Sequence, residues 1–177
     1  MRRFFTLIFF CLGRANVILS NADLKNVSYA KSVTLSSEYN TDRTYPGSKA
    51  VNGLLSDFAH TAHEKTPWLR IDLGANNRIH EIEVFARSDC CGNQLHDLDV
   101  RVGHTINHLR LCGHFTGNTT VGGRIPVWCP QNTTGRYVQK QIVAGRSSVL
   151  SPAEGLVWVQ SRAITGLWKT SEAGSGA

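Results

Sequence analysis

The chain has 177 residues, 41% of them hydrophobic and 18% charged, which suits one globular domain with a proper core and excludes a disordered chain. The formal charge is +6, and residues 1–22 contribute three arginines and no acid, so without them it falls to +3. That balance is too mild for a nucleic-acid partner, and no run of Lys or Arg marks a groove.

In chain order, the first feature is a targeting segment. Arg2 and Arg3 precede the apolar run "FFTLIFFCLG", and the small residues Ser20 and Ala22 have the spacing of a cleavage site. Arg14 interrupts the run, and it is too short to span about 30 Å of hydrocarbon. Residues 1–22 are therefore expected to be a signal peptide and the protein to be secreted and extracellular. Three sequons agree with an extracellular glycoprotein: Asn26-Val27-Ser28, Asn118-Thr119-Thr120 and Asn132-Thr133-Thr134.

The body of the chain reads as short strands. "SVTLSS" is the first candidate. Pro46-Gly47 and Asn52-Gly53 mark turns, and "GSKAVNG" between them offers the best helical turn. In "WLRIDLG", Leu69, Ile71 and Leu73 share one face. After the turn signal at Gly74, "EIEVFAR" alternates Ile82, Val84 and Ala86 with Glu83, Phe85 and Arg87. "HDLDVRVG" repeats the period of two, and "GRYVQKQIV" and "GLVWVQS" follow. Trp68 and Trp158 fall within these patterns and are expected in the core. Many short strands with frequent turns mean an all-β antiparallel sandwich or jelly roll.

The cysteines come next. Cys11 leaves with the leader, and Cys90, Cys91, Cys112 and Cys129 remain in an oxidising compartment. No CxxC pair suggests zinc. Cys112 and Cys129 flank a turn-rich stretch that reads as a hairpin or long loop, and joining them would stabilise the fold by about 3 kcal/mol. Cys90 and Cys91 are then left to each other, in a strained ring that makes a rigid apolar knob. Crosswise pairing of the four is the alternative that the sequence leaves open.

"NVSYAKSVTLSSEY" and "TPWLRIDLG" resemble discoidin-type (coagulation factor V/VIII type C) domains. "RSDCC", separated from His60 by the 26 residues 61–86, resembles a narrower branch, the fucolectins or F-type lectins. The resemblance covers nearly all of residues 24–160 and implies an antiparallel jelly roll over 23–161, a linker and polar tail over 162–177, and terminal L-fucose on glycans or glycoproteins as partner. "RAITG" resembles the linker to a further copy of the domain, and "LWKTS" the start of one.

By position, the resemblance makes His60 and Arg87 the polar contacts acting as hydrogen-bond donors, Cys90 and Cys91 a platform, Phe58 the contact for the sugar methyl, and Asp89 an orienting partner. Its last signature position falls on Gln94, where the family has Arg or Lys. A neutral amide in place of a cation would weaken binding by roughly tenfold.

The resemblance also implies a structural calcium. Its donors here would be Lys49, Asn52, Leu54 and Glu154, with Asn52 standing where the family has Asp and Ala153 where a cysteine often pairs. Taken singly, His60 and Arg87 would be ordinary surface groups and Arg87 with Asp89 a surface ion pair. It is the joint spacing that marks them.

No H-E-x-x-H, nucleophile elbow or phosphate loop occurs, so the chain is not expected to be an enzyme. The rival is a degenerate discoidin-type domain that binds protein or phospholipid. The end loops are poor in exposed Trp, Leu and Phe, which disfavours membrane insertion. Weak single sites gain by linkage, so multivalency is expected of a lectin, with a homo-oligomer as one way to reach it.

Overall fold

The computed structural model describes residues 24–40 and 44–160. The expected leader (1–22) and tail (162–177) lie outside the described residues. Eight strands run in chain order: β1 (Leu24–Asn26), β2 (Ser32–Leu35), β3 (Trp68–Ala86), β4 (His96–Gly103), β5 (Leu109–Asn118), β6 (Arg124–Trp128), β7 (Thr134–Ile142) and β8 (Pro152–Gln160). The "GSKAV" helical turn is a single 3-10 segment, Gly47–Val51, and a second covers Gly92–Gln94.

All pairings are antiparallel, and β3 organises them. Its first part, Trp68–Asp72, pairs with β2 on one side and β7 on the other, and β7 continues to β4 and β5. Its second part, Ile79–Ala86, pairs with β8 and β6, and β1 lies on β8. One long strand therefore belongs to both layers of a sandwich. The sequence suggests two strands here, split by the turn signal at Gly74. The turn residues instead form a bulge between Asp72 and Asn77, with Gly74 at φ +81°, so the chain bends without reversing.

The layers enclose Leu69, Ile71, Ile82, Val84, Leu98, Val100, Val138, Ile142 and Val157, each fully buried. The alternation of strand side chains puts them inside. Two expectations fail for identifiable reasons. Trp68 and Trp158 are half-buried, because Leu69 and Val157 already take the inward positions; the Arg70 guanidinium lies 4.4 Å above the Trp68 ring. Glu81 and Glu83 are buried although they sit on the polar phase of β3, because Arg124 from β6 spans both carboxylates.

The stretch between Cys112 and Cys129 is not a simple hairpin either. β5 pairs with β4 and β6 with β3, in different layers. The Cys112–Cys129 bond, at 2.04 Å, thus ties one layer to the other.

Candidate functional site

The end of β3 and the start of β4 are joined by nine residues, "RSDCCGNQL", and this crossing forms the floor of the site. Arg87 leaves β3 and meets Asp89 in a two-point bond: Nε donates to Oδ1 at 2.7 Å and Nη2 to Oδ2 at 2.5 Å. Two of the five guanidinium N–H groups are used, and three remain. The Arg87 side chain is 12% exposed and that of Asp89 56%, so the acid faces water and the base faces the protein. The bond to Arg87 holds the Asp89 carboxyl down at about 2, and the same bond raises Arg87.

The Arg87 guanidinium lies 3.6 Å from the Phe58 ring centroid. The Phe58 ring is itself stacked on Tyr45, with centroids 4.7 Å apart and planes at 14°. With a cation at one contact and an aromatic ring stacked at another, Phe58 serves first as the bed for Arg87. The residue is half-buried, so part of it remains open to a ligand.

His60 completes the cluster. Tyr39 is tilted against it at 4.5 Å, and Tyr45 and Phe58 lie at 6.0 and 6.2 Å. The backbone fixes it on both sides: His60 N–H donates to the Tyr45 carbonyl, and the His60 carbonyl accepts from Tyr39 N–H. Its side chain is buried, and Nδ1 lies 2.6 Å from the Thr61 carbonyl. A carbonyl only accepts, so Nδ1 carries the proton and the neutral ring is left with an acceptor at Nε2. Burial lowers the His60 pKa below 6.5; the Thr61 bond offsets part of this, and the Arg87 and His63 charges add to it. His60 is therefore neutral at physiological pH. In that tautomer Nε2 can accept a hydrogen bond but not donate one, whereas the resemblance expects a donor there.

Cys90 and Cys91 are bonded to each other across Cα atoms 3.8 Å apart. Cys91 takes φ +59°, a left-handed conformation unusual for a residue with a Cβ, and so turns the chain into the 3-10 segment. Gly92 follows where only glycine fits: a Cβ there would lie 2.1 Å from the Thr120 carbonyl carbon. The 119–123 loop is thus packed against the cystine turn. It also holds Arg87, through Gly122 N–H to the Arg87 carbonyl and Ala86 N–H to the Gly123 carbonyl.

Gln94 stands apart from the aromatic cluster. Its Oε1 accepts from the Ser151 hydroxyl at 2.5 Å, which leaves the amide N–H groups as its remaining function. With Cys91, His63, His96, Asn118 and Arg146 it lines an open cleft of about 570 Å³. Cys91 of the cystine lines the cleft, and Cys90 follows Asp89 in the chain. Tyr39 and Tyr45 lie in an aperiodic stretch that the sequence offers only as an end loop of the discoidin-type alternative, so nothing there marks them as ring partners of His60.

The expected calcium donors sit at the neighbouring loop, and the side-chain oxygens among them, on Asn52 and Glu154, are already engaged. Asn52 Oδ1 accepts from Leu54 N–H, and its Nδ2 donates to Asp57. Glu154 Oε2 accepts from Gly53 N–H at 2.8 Å, and Oε1 from Gly155 N–H. The Lys49 ammonium lies 2.8 Å from Asp57 Oδ1. Calcium needs six to eight oxygens. Here the side-chain oxygens are turned onto the loop's own N–H groups or onto an ammonium. Among the described residues, no three His, Cys, Asp or Glu side chains gather as a metal group.

Of the sequon asparagines, Asn118 and Asn132 are exposed. Asn26 is half-buried, and its Oδ1 accepts from Ser28 and from Val157 N–H of β8.

Several known proteins are similar to this chain. Fucolectin-1 of Anguilla japonica is 29% identical over 92 residues, 47% of this chain and 51% of its own length. The pentraxin fusion protein of Xenopus laevis is 30% identical over 63 residues, 36% of this chain and 15% of its own length. The chain thus spans about half of one of these curated relatives and less of the other. The serum F-lectin (fucolectin) of striped bass, Morone saxatilis, superposes with a TM-score of 0.69 at 23% identity, over 77% of this chain and 48% of that one. The lectin domain of lectinolysin, solved with Lewis B antigen, gives 0.65 at 21% identity, over 77% of this chain and 98% of that one. The model of the NedA-like, galactose-binding domain matches residues 49–139, just over half of the chain. On that match the chain belongs to the F5/F8 type C domain family, in its NedA-like, galactose-binding form.

Proposed function

We propose that this domain is a secreted, non-catalytic lectin that binds terminal L-fucose on glycans at the Arg87–His60 rim. The observation that carries the reading is the fixed pairing of a donor and an acceptor beside an apolar surface. Arg87 is held by Asp89 and Phe58 and keeps three N–H groups for a ligand. His60 offers Nε2 as an acceptor beside it. A sugar hydroxyl both donates and accepts, so neighbouring hydroxyls can give a proton to His60 and take one from Arg87. A site made only of donors would leave the hydroxyl protons unmatched.

Fucose is a 6-deoxy sugar, with a methyl group where a hexose such as galactose carries a hydroxymethyl. That group needs apolar contact, and the Cys90–Cys91 knob next to Asp89 supplies it. Leu55 is 51% exposed, and its carbonyl accepts from the Ser88 hydroxyl, so a second apolar side chain sits near the rim. The fucolectin relatives and the Lewis B complex of a neighbouring fold support the choice of fucose over other sugars. The test is retention on fucose-agarose with elution by free L-fucose. Arg87→Ala should abolish retention while the circular-dichroism spectrum is kept. Retention of wild-type protein by phospholipid vesicles and not by fucose would favour the phospholipid reading instead.

A further inference from the structure

A fucose residue at the Arg87–His60 rim leaves the cleft beside the cystine unused. At about 570 Å³ that cleft has the volume of a small-ligand site, roughly 300–1,000 Å³. Two segments connect it to the rim. Residues 60–63 carry His60 at the rim and His63 on the cleft wall, three residues on and so at most about 10 Å away between Cα atoms. Thr61 N–H to the Leu150 carbonyl and the reciprocal backbone bonds of Glu64 and Ser148 hold that segment in place. The turn over 89–94 carries Asp89, which grips Arg87, and then Cys91, Asn93 and Gln94 of the cleft.

The cleft is one-sided in charge. Arg146 lines it and no Asp or Glu does. Arg146 is exposed, and among the described residues no carboxylate pairs with its guanidinium. Asp97 feels the Arg146 charge, but its own oxygens are taken by Gly117 N–H at 3.0 Å and His96 Nδ1 at 3.1 Å. Two other wall residues add donors: His63 an imidazole N–H, and Gln94 its amide N–H groups, because the Ser151 hydroxyl occupies Oε1. A cation with donors around it and no facing carboxylate suits an anion. A guanidinium also matches the paired oxygens of a carboxylate or sulfate.

We propose that the cleft is a second subsite, which takes an anionic group, sulfate or carboxylate, on a sugar neighbouring the fucose in the glycan. Resting on the fucose reading of the rim, this subsite makes the domain prefer acidic fucosylated glycans to neutral ones.

Calorimetric titration of the whole chain with Lewis X, and with Lewis X carrying sulfate or sialic acid on its galactose, tests the subsite and separates sulfate from carboxylate. At physiological ionic strength at least one acidic form should bind about 3- to 10-fold tighter than the neutral one. The gain should vanish at about 1 M salt, where the screening length is about 3 Å. Arg146→Gln should bring the ratio of acidic to neutral affinity close to one. Asn118 is a sequon asparagine on the same wall, so each titration is repeated in Asn118→Gln, where no glycan of the chain's own can fill the cleft. Equal affinities for acidic and neutral forms in both proteins, or a gain that survives R146Q, would overturn the subsite and leave the fucose reading standing. Neutral and sulfated lactose, which lack fucose, separate the two readings. Binding of sulfated lactose that needs Arg146, with none of neutral Lewis X, would keep the subsite and remove the fucose reading; no binding of any of these sugars would remove both.

Discussion

Replacing Asp89 by Asn separates the two roles that the Arg87–Asp89 pair can have. The change keeps the shape and one acceptor oxygen but removes the charge and the two-point grip. For stability the loss is small. Asp89 is 56% exposed, and exposed ion pairs contribute about 0–1 kcal/mol after solvent screening, so Tm should fall by about 3 °C or less. For binding the loss is larger. An arginine side chain carries about 2 kcal/mol of rotamer entropy, and the Asp89 grip removes much of that freedom before the sugar arrives. If half or more of it must be lost on binding instead, affinity falls by roughly 5- to 30-fold. Titration calorimetry with methyl α-L-fucoside, or frontal affinity on a fucose column, reads the second quantity, and a melting curve reads the first. The same affinity in Asp89→Asn and wild type would refute the idea that Asp89 positions Arg87. An equal loss of stability and binding would refute the separation.

Other consequences follow from the same geometry. His60 is held below its ordinary pKa of 6.5, chiefly by burial. Between that lowered value and 6.5 the unfolded chain binds the proton and the native one does not. Its contribution to stability is therefore complete above 6.5 and lost as pH falls through the lowered value. Melts at pH 7.4 and 5 should show this loss, and His60→Gln should flatten it; sugar retention should weaken over the same range as Nε2 stops accepting. Gly92→Ala drives a Cβ into the backbone of Thr120 and Val121, and should cost about 1–3 kcal/mol in a denaturant titration. Because the displaced loop also holds the Arg87 carbonyl, the variant should lose sugar affinity as well. Reduction of Cys112–Cys129 reopens a span of 17 residues and should cost about 3 kcal/mol, a fall of on the order of 10 °C in Tm.

Much of the architecture was legible in the sequence because strand alternation is a local signal. Leu69, Ile71 and Leu73 share a face in the sequence and are buried in the fold. What failed depends on non-local partners. Glu81 and Glu83 read as a solvent face until Arg124, some forty residues on, covers them. Gly74 reads as a reversal, but whether a glycine makes a turn or a bulge depends on whether β7 keeps pairing past it. Lys140 is a mixed case. In "YVQKQIV" it shares the phase of Val138 and Ile142, which points inward, while its charge argues for water; only the missing side chain of Gly155, on another strand, makes room for it inside.

The site follows the same division. The spacing of His60, Arg87 and Asp89 was visible, but spacing does not carry the direction of a hydrogen bond. That direction was set by one carbonyl: Thr61, by accepting from Nδ1, decides that His60 presents an acceptor. The same reasoning applies to Gln94, whose Oε1 is committed to Ser151. An arginine at 94 has no acceptor to offer that hydroxyl, so Gln94→Arg gives up one bond to Ser151 in order to place a cation beside the cleft. The gain from charge, about 0.5–2 kcal/mol, then competes with a loss of about 1 kcal/mol. Affinity should rise by less than the roughly tenfold expected from charge alone, and a full tenfold gain would mean that the Ser151 bond does not hold residue 94 in place.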